Sequence, residues 1–187
     1  MVRSDKKLTL ADFFALPESD TIYEFVEGNA KPKAMSPKRF HSRLTGALFL
    51  LLIEWGRDRG EVGIKWEILL NRRGKDWVPV PDLLYISNHR LGNDRVLDRA
   101  CSVPPELAIE IISPEQSFGK ISEKAIDYLQ AGVSRVWIVD PSAKNITIFY
   151  PNAIPQAKTG DEVIADPLLD GLELTPDRIF TQAGIPD

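Results

Sequence analysis

Cysteine and histidine are nearly missing from this chain of 187 residues, which has one cysteine, Cys101, and two histidines, His41 and His89. A lone cysteine excludes an internal disulfide, and so few Cys and His ligands argue against a zinc site. Long hydrophobic runs are missing too. A membrane-spanning helix needs roughly 18–20 apolar residues, and the longest apolar run, residues 47–53, is broken by Glu54 and Arg57. Met1-Val-Arg-Ser-Asp-Lys-Lys carries basic residues with no apolar segment behind it, so no signal peptide is expected. There is no Gly-rich phosphate loop to support a nucleotide-binding enzyme. These absences predict a soluble cytoplasmic protein with no membrane association.

What is present is ordinary for a globular chain: 43% hydrophobic and 27% charged residues, enough for one domain with a sizeable core. A single domain over 1–187 is expected, with its core at about 36–150. The net charge of −4 is unevenly placed. Residues 160–187 hold seven acids and one base, which leaves the rest slightly basic. Residues 29–43 carry Lys31, Lys33, Lys38, Arg39 and Arg43 and no acid. Such a cluster is most often solvated surface, yet it leaves room for a local anion-binding groove.

Residues 8–16 read as a short helix with Thr9 at its N-cap. A strand over 21–26, the turn Glu27-Gly28-Asn29 and a second strand up to Met35 form a hairpin. Pro37 introduces a helix over 40–57 with Leu44, Ala47, Leu48, Leu51, Leu52 and Trp55 on its inward face. One strand is expected over 63–70, a polar turn over 71–75, and a further strand over 78–86 that begins in prolines. After a polar loop, Leu107-Ala-Ile-Glu-Ile-Ile112 has the character of a buried central strand. Ser113-Pro114-Glu115-Gln116 has the form of a capping box ahead of a helix over 121–130, with Gly132 as its C′ residue. Strands over 133–139 and 145–150 follow, then one more strand and a helical turn near 176–180. Helix, three strands, helix, strand is an α/β arrangement.

Two acids stand out against this pattern. Glu110 interrupts the apolar strand and shares a face with Ala108 and Ile112, while Leu107, Ile109 and Ile111 point the other way. Asp82 follows Val78-Pro79-Val80-Pro81 at the head of the preceding strand. Two carboxylates on neighbouring strands can converge on a hard cation such as Mg²⁺. Either acid alone more often has a structural role, as a turn cap or the partner of a buried base. Lys124, a turn before Tyr128 on the following helix, could reach back to Glu110 or lie exposed. His89 reads as a solvated loop residue, Cys101 as a small loop or strand-edge residue, and the tryptophans as core, with Trp77 a possible surface stacker.

The ordered series Val80-Pro81-Asp82-Leu83, Pro105-Glu-Leu-Ala-Ile-Glu110-Ile-Ile-Ser113-Pro114, Lys124-Ala-Ile-Asp-Tyr128-Leu-Gln-Ala-Gly132-Val133 and Trp137-Ile-Val-Asp140-Pro141 resembles the Uma-type restriction-endonuclease family of the PD-(D/E)XK nuclease superfamily. Tyr23-Glu24-Phe-Val-Glu27-Gly28, Met35-Ser36-Pro37 with His41, and Pro167-Leu-Leu-Asp170-Gly171-Leu extend it to about residues 8–180. The resemblance implies a restriction-endonuclease-like αβββαβ core, a mixed central sheet flanked by helices, with an N-terminal helix and hairpin and C-terminal additions. It implies Mg²⁺- or Mn²⁺-dependent hydrolysis of DNA phosphodiesters by an endonuclease, with DNA as partner and a homodimer as the assembly.

Residue by residue, Asp82 and Glu110 match the metal-binding acids, and Lys124 matches a catalytic lysine moved to the helix, since Ile112 stands where the motif's lysine is usual. His41 and Glu27 are possible further site members, and Lys31, Lys33, Lys38 and Arg39 could hold the DNA backbone. Lys120 stands where family members often carry an acid. That departure and Ile112 keep open a catalytically inactive module that binds DNA or a partner on the same fold. A glycosidase using the two carboxylates ranks last, because no sugar-stacking aromatics flank them.

Overall fold

A two-residue turn sets the N-terminal hairpin. Glu27 and Gly28 both adopt positive φ, 53° and 81°, the conformation that matches the twist of paired strands in a type I′ turn. The computed structural model describes residues 7–33, 38–92 and 97–185. In it β1 (Tyr23–Val26) pairs with β2 (Asn29–Pro32) in register Val26 to Asn29. Met35, the expected end of the second strand, lies outside the described residues. Ahead of the hairpin, α1 (Leu10–Phe14) is shorter than expected, and Thr9 and Asp12 cap it reciprocally.

Helix α2 (Arg39–Gly56) buries His41, Leu44, Ala47, Leu48, Leu51 and Leu52, at the three-and-four spacing of an apolar stripe. Trp55 is only half-buried at the rim, where its Nε1–H donates to the Asp170 carbonyl at 3.0 Å.

The two long strands expected next are each broken in two. The chain forms β3 (Gly60–Ile64), leaves the ladder at Lys65 with φ 51°, and starts β4 (Leu70–Arg72) in a different sheet. After a turn at Arg73 and Gly74 comes β5 (Lys75–Val78), and then Pro79 and Pro81 separate it from β6 (Leu83–Ser87). Proline lacks the N–H that a ladder needs, so the apolar run crosses from one sheet to the other. The polar stretch that follows opens with a single helical turn, α3 (Asn88–Leu91).

β7 (Leu107–Ile111) runs antiparallel to β6 and parallel to β8 (Arg135–Asp140). With β9 (Asn145–Phe149) and β10 (Gln156–Thr159) they complete a six-stranded mixed sheet of order β10-β9-β8-β7-β6-β3. The second sheet has order β2-β1-β5-β4. Helix α4 (Phe118–Gln130) crosses between the parallel strands, as a parallel connection requires. Chain order α2-β3-β6-β7-α4-β8 is therefore the expected αβββαβ core, with the β4–β5 hairpin inserted into it.

Ser113-Pro114-Glu115-Gln116 does not cap α4. The Gln116 side chain accepts the Ser113 N–H at 3.0 Å within its own turn, and Ser117 takes the N-cap instead. The other end follows the sequence: Gly132, at φ 102°, lets the Gly132 and Val133 N–H groups donate to the Leu129 and Tyr128 carbonyls, a Schellman ending. α5 (Pro176–Gln182) closes the chain against α2.

The alternation along β7 divides the core. Leu107, Ile109 and Ile111 pack with the α2 leucines and with Ile179 and Phe180 of α5. Ala108 and Ile112 pack with Ile121, Ala125 and Tyr128 of α4. Glu110 lies on this second face. Among the described residues no helix is long and apolar enough to cross a membrane.

Candidate active site

The ladder between β6 and β7 brings the two acids together. Leu83 pairs with Ile109, and continuing that register by one residue sets Asp82 opposite Glu110 on one face. Like charges facing each other across an antiparallel pair repel, so cations must gather around them. Both side chains are almost fully buried, Asp82 at 1% and Glu110 at 3% exposure.

Asp82 is held on every side. Its Oδ2 accepts the Ile111 N–H at 2.9 Å and lies 3.0 Å from His41 Nε2, while Oδ1 meets the Lys33 ammonium at 2.9 Å. Burial alone would raise its carboxyl, but the His41 hydrogen bond, the Lys33 and His41 charges and the Ile111 N–H outweigh that and hold it well below the ordinary range. A carboxylate is acceptor-only, so His41 presents Nε2–H to it. Its Nδ1 is buried and has no partner among the described residues.

Glu110 Oε1 accepts from Lys124 Nζ at 2.8 Å and from the Tyr128 hydroxyl at 3.0 Å. The same Lys124 ammonium donates to Glu24 Oε1 at 2.7 Å, and that carboxylate oxygen also accepts the Val80 N–H. Burial would strip the Lys124 proton, yet Glu110 and Glu24 together hold it well above the ordinary lysine value. Burial likewise opposes ionisation of Glu24, and Lys124, the Val80 N–H and Lys33 reverse it, leaving Glu24 below the ordinary range. Tyr128, buried and hydrogen-bonded to Glu110, is pushed well above the usual phenol value.

Four residues singled out in the sequence thus converge: Asp82, Glu110, Lys124 and His41. Glu27 does not join them. It sits at the hairpin turn, half exposed, 3.6 Å from Lys75. The acid that reaches the site is Glu24, three residues earlier. Strand parity explains the substitution: Phe25 faces the small core under α1, whereas Glu24 and Val26 face the α4 side.

Of the basic cluster, Lys31, Lys38 and Arg39 are exposed, but Lys33 turns inward. Its ammonium donates to the Val80 carbonyl at 2.6 Å and to Asp82, and lies 3.6 Å from Glu110 Oε2. Of the remaining residues named from the sequence, His89 is exposed in α3, and Cys101 is buried with its thiol on the Val103 carbonyl. Trp77 is buried at 2%, not a surface stacker; the half-buried Trp66 lines a cleft instead.

The donors suit a hard divalent cation. Asp82 Oδ1, Glu110 Oε2 and the Val80 carbonyl are hard oxygens already turned toward one positive group, Lys33. Among the described residues no group of three or more His, Cys, Asp or Glu side chains could hold a metal. A cation here would therefore rest on two carboxylates and carbonyl oxygen, with substrate oxygens completing its shell, which is a common arrangement for Mg²⁺.

No curated protein matches the chain. Among solved structures it is similar to a crystal structure from Anabaena variabilis described as "a putative nuclease belonging to DUF820", with a TM-score of 0.81 at 21% identity over 94% of this chain and 99% of that one. At that identity the likeness speaks for the fold. The family model Uma2, described as "Putative restriction endonuclease", matches residues 10–177, so this chain belongs to that nuclease family.

Proposed function

We propose that this protein is a Mg²⁺- or Mn²⁺-dependent endodeoxyribonuclease in which Asp82 and Glu110 hold the cation and Lys124 acts on the scissile phosphate. The observation that carries this reading is the opposed, buried pair of carboxylates with a lysine ammonium 2.8 Å from one of them. A bound divalent cation activates water and neutralises charge on the phosphate.

The chain's own groups divide the remaining work. The ammonium form of Lys124, favoured by two carboxylates, suits it to stabilise negative charge on the phosphate and not to act as a base. Glu24 and Tyr128 fix the positions of Lys124 and Glu110. His41 and the Ile111 N–H orient Asp82. Exposed Lys31, Lys38 and Arg39 are available for the DNA backbone, and cutting both strands with one site per chain favours a twofold dimer.

One observation favours the inactive binding module: Lys33 already neutralises both carboxylates. Nicking of supercoiled plasmid decides between the two. Cleavage that requires Mg²⁺ or Mn²⁺ and disappears in Glu110→Ala and Lys124→Ala is the expected result. DNA binding without cleavage under any metal would establish the binding module, and cleavage by Glu110→Ala would move the site elsewhere.

A further inference from the structure

A cleft of about 490 Å³ is lined by Phe14, Tyr23, Lys65, Trp66, Glu67 and Arg99 among others. Its size lies within the range of about 300–1,000 Å³ usual for small-molecule sites. It touches the proposed active site at two backbone positions. The Lys65 N–H donates to the Asp82 carbonyl at 3.1 Å, and Ile22, on the cleft wall, accepts the Lys33 N–H at 2.8 Å.

Trp66 is fixed in place. Its Nε1–H donates to the Arg99 carbonyl at 2.8 Å. A Cβ at Gly63 would come within 2.8 Å of the Trp66 Cβ, so only glycine at 63 lets the indole lie where it does. With its one polar group satisfied, Trp66 has only its flat face to offer a ligand. Phe14, 46% exposed, supplies a second aromatic surface. Lys65 and Glu67, two residues apart, are both half-buried, and neither side chain makes a hydrogen bond or ion pair among the described residues. Burial raises the Glu67 carboxyl, as for an acid that has lost water without gaining a donor.

We propose that this cleft receives one unpaired guanine of the DNA strand, stacked on Trp66 and Phe14, with Glu67 reading its Watson–Crick edge and Lys65 holding the adjoining phosphate. Guanine presents two neighbouring donors, N1–H and the N2 amino group, that match the two oxygens of a carboxylate. Adenine and cytosine set one donor beside an acceptor, and thymine sets one donor between two acceptors, so each turns a lone pair toward Glu67. The assignment rests on the nuclease reading above and gives that site a base preference.

The test is fluorescence anisotropy of the full chain in excess EDTA, with three labelled strands: five thymines, and the same strand with guanine or adenine at its centre. The guanine strand is expected to bind about tenfold more tightly than the thymine strand. Glu67→Gln should reduce that ratio to about two, and Phe14→Ala should weaken every strand about fivefold. Equal affinities, a guanine preference that survives Glu67→Gln, or no binding of any strand overturns the proposal.

Placing the guanine strand within a duplex of about twenty base pairs distinguishes the sources. Retained preference means a base extruded from duplex, and lost preference means a single-stranded substrate. Because the assay contains no metal, the two readings fail separately: nicking without base preference removes the pocket alone, and base preference without nicking removes the nuclease alone.

Discussion

Glu106 directly precedes β7 and Glu110 lies near its far end; both are buried, and their surroundings differ in kind. The Glu106 carboxylate is closed. It accepts the Ser87 N–H at 2.9 Å and the Ser87 hydroxyl at 2.6 Å, and pairs with Arg90 at 3.1 Å. Arg90 then donates to the Pro104 carbonyl and the Ser134 hydroxyl. Those contacts tie β6, the loop before β7 and the start of β8 to one another.

Glu110 is open. Its Oε1 has two donors, but among the described residues Oε2 meets only Lys33, at 3.6 Å, beyond hydrogen-bond distance. Around it the carboxylates of Asp82, Glu110 and Glu24 share the two ammoniums of Lys33 and Lys124. At these two glutamates burial alone does not separate the structural acid from the site acid; completeness of hydrogen bonding does.

Substitutions at the two glutamates should separate activity from stability. Glu110→Gln is expected to lower cleavage about a thousandfold, roughly 4 kcal/mol of transition-state stabilisation. The loss of stability should stay within about 1 kcal/mol, because Lys124 keeps Glu24 and Lys33 keeps Asp82. Glu106→Ala should do the reverse. It leaves the Ser87 N–H and hydroxyl without their acceptor and a one-third-exposed Arg90 without its carboxylate, and should remove about 2 kcal/mol of stability, read as a lower urea midpoint, while the folded protein still cleaves.

Lys33→Met sharpens the contrast at Glu110 itself. Removing the internal cation should raise Mg²⁺ affinity about tenfold by calorimetry, or roughly 1.4 kcal/mol. An unchanged affinity would mean that Lys33 does not compete for those oxygens.

The smallest expected effect is on pH dependence. A carboxyl held below its unfolded value of about 4.3 contributes stability above that pH and loses it as pH falls through the folded value. Glu24 is such a group. Wild type should therefore lose stability on acidification from pH 7 to 3 more steeply than Glu24→Gln, which lacks this titration.

The sequence displayed the parts of the site that interrupt a pattern. Glu110 is the one acid in an apolar run, and Asp82 follows a proline-flanked apolar run. Lys33, Glu24 and Tyr128 interrupt nothing. Lys33 looked like one base in a solvated cluster, and its inward turn depends on β2 crossing near residues about fifty positions later. Glu24 could have been preferred to Glu27 by strand parity, since Glu27 falls at the turn where side chains leave the sheet.

The fold was legible wherever periodicity was unbroken, as in α2 and β7. It was misread where one apolar run served two sheets. Lys65 with its positive φ and the prolines at 79 and 81 end strands that hydrophobicity alone would continue.

The most direct test compares Mg²⁺-dependent nicking rates of Glu110→Gln and Glu106→Gln at a temperature where both are shown to be folded. Glu110→Gln should be inactive, and Glu106→Gln should cleave at close to the wild-type rate. Comparable activity in the two variants, or loss confined to Glu106→Gln, would contradict this.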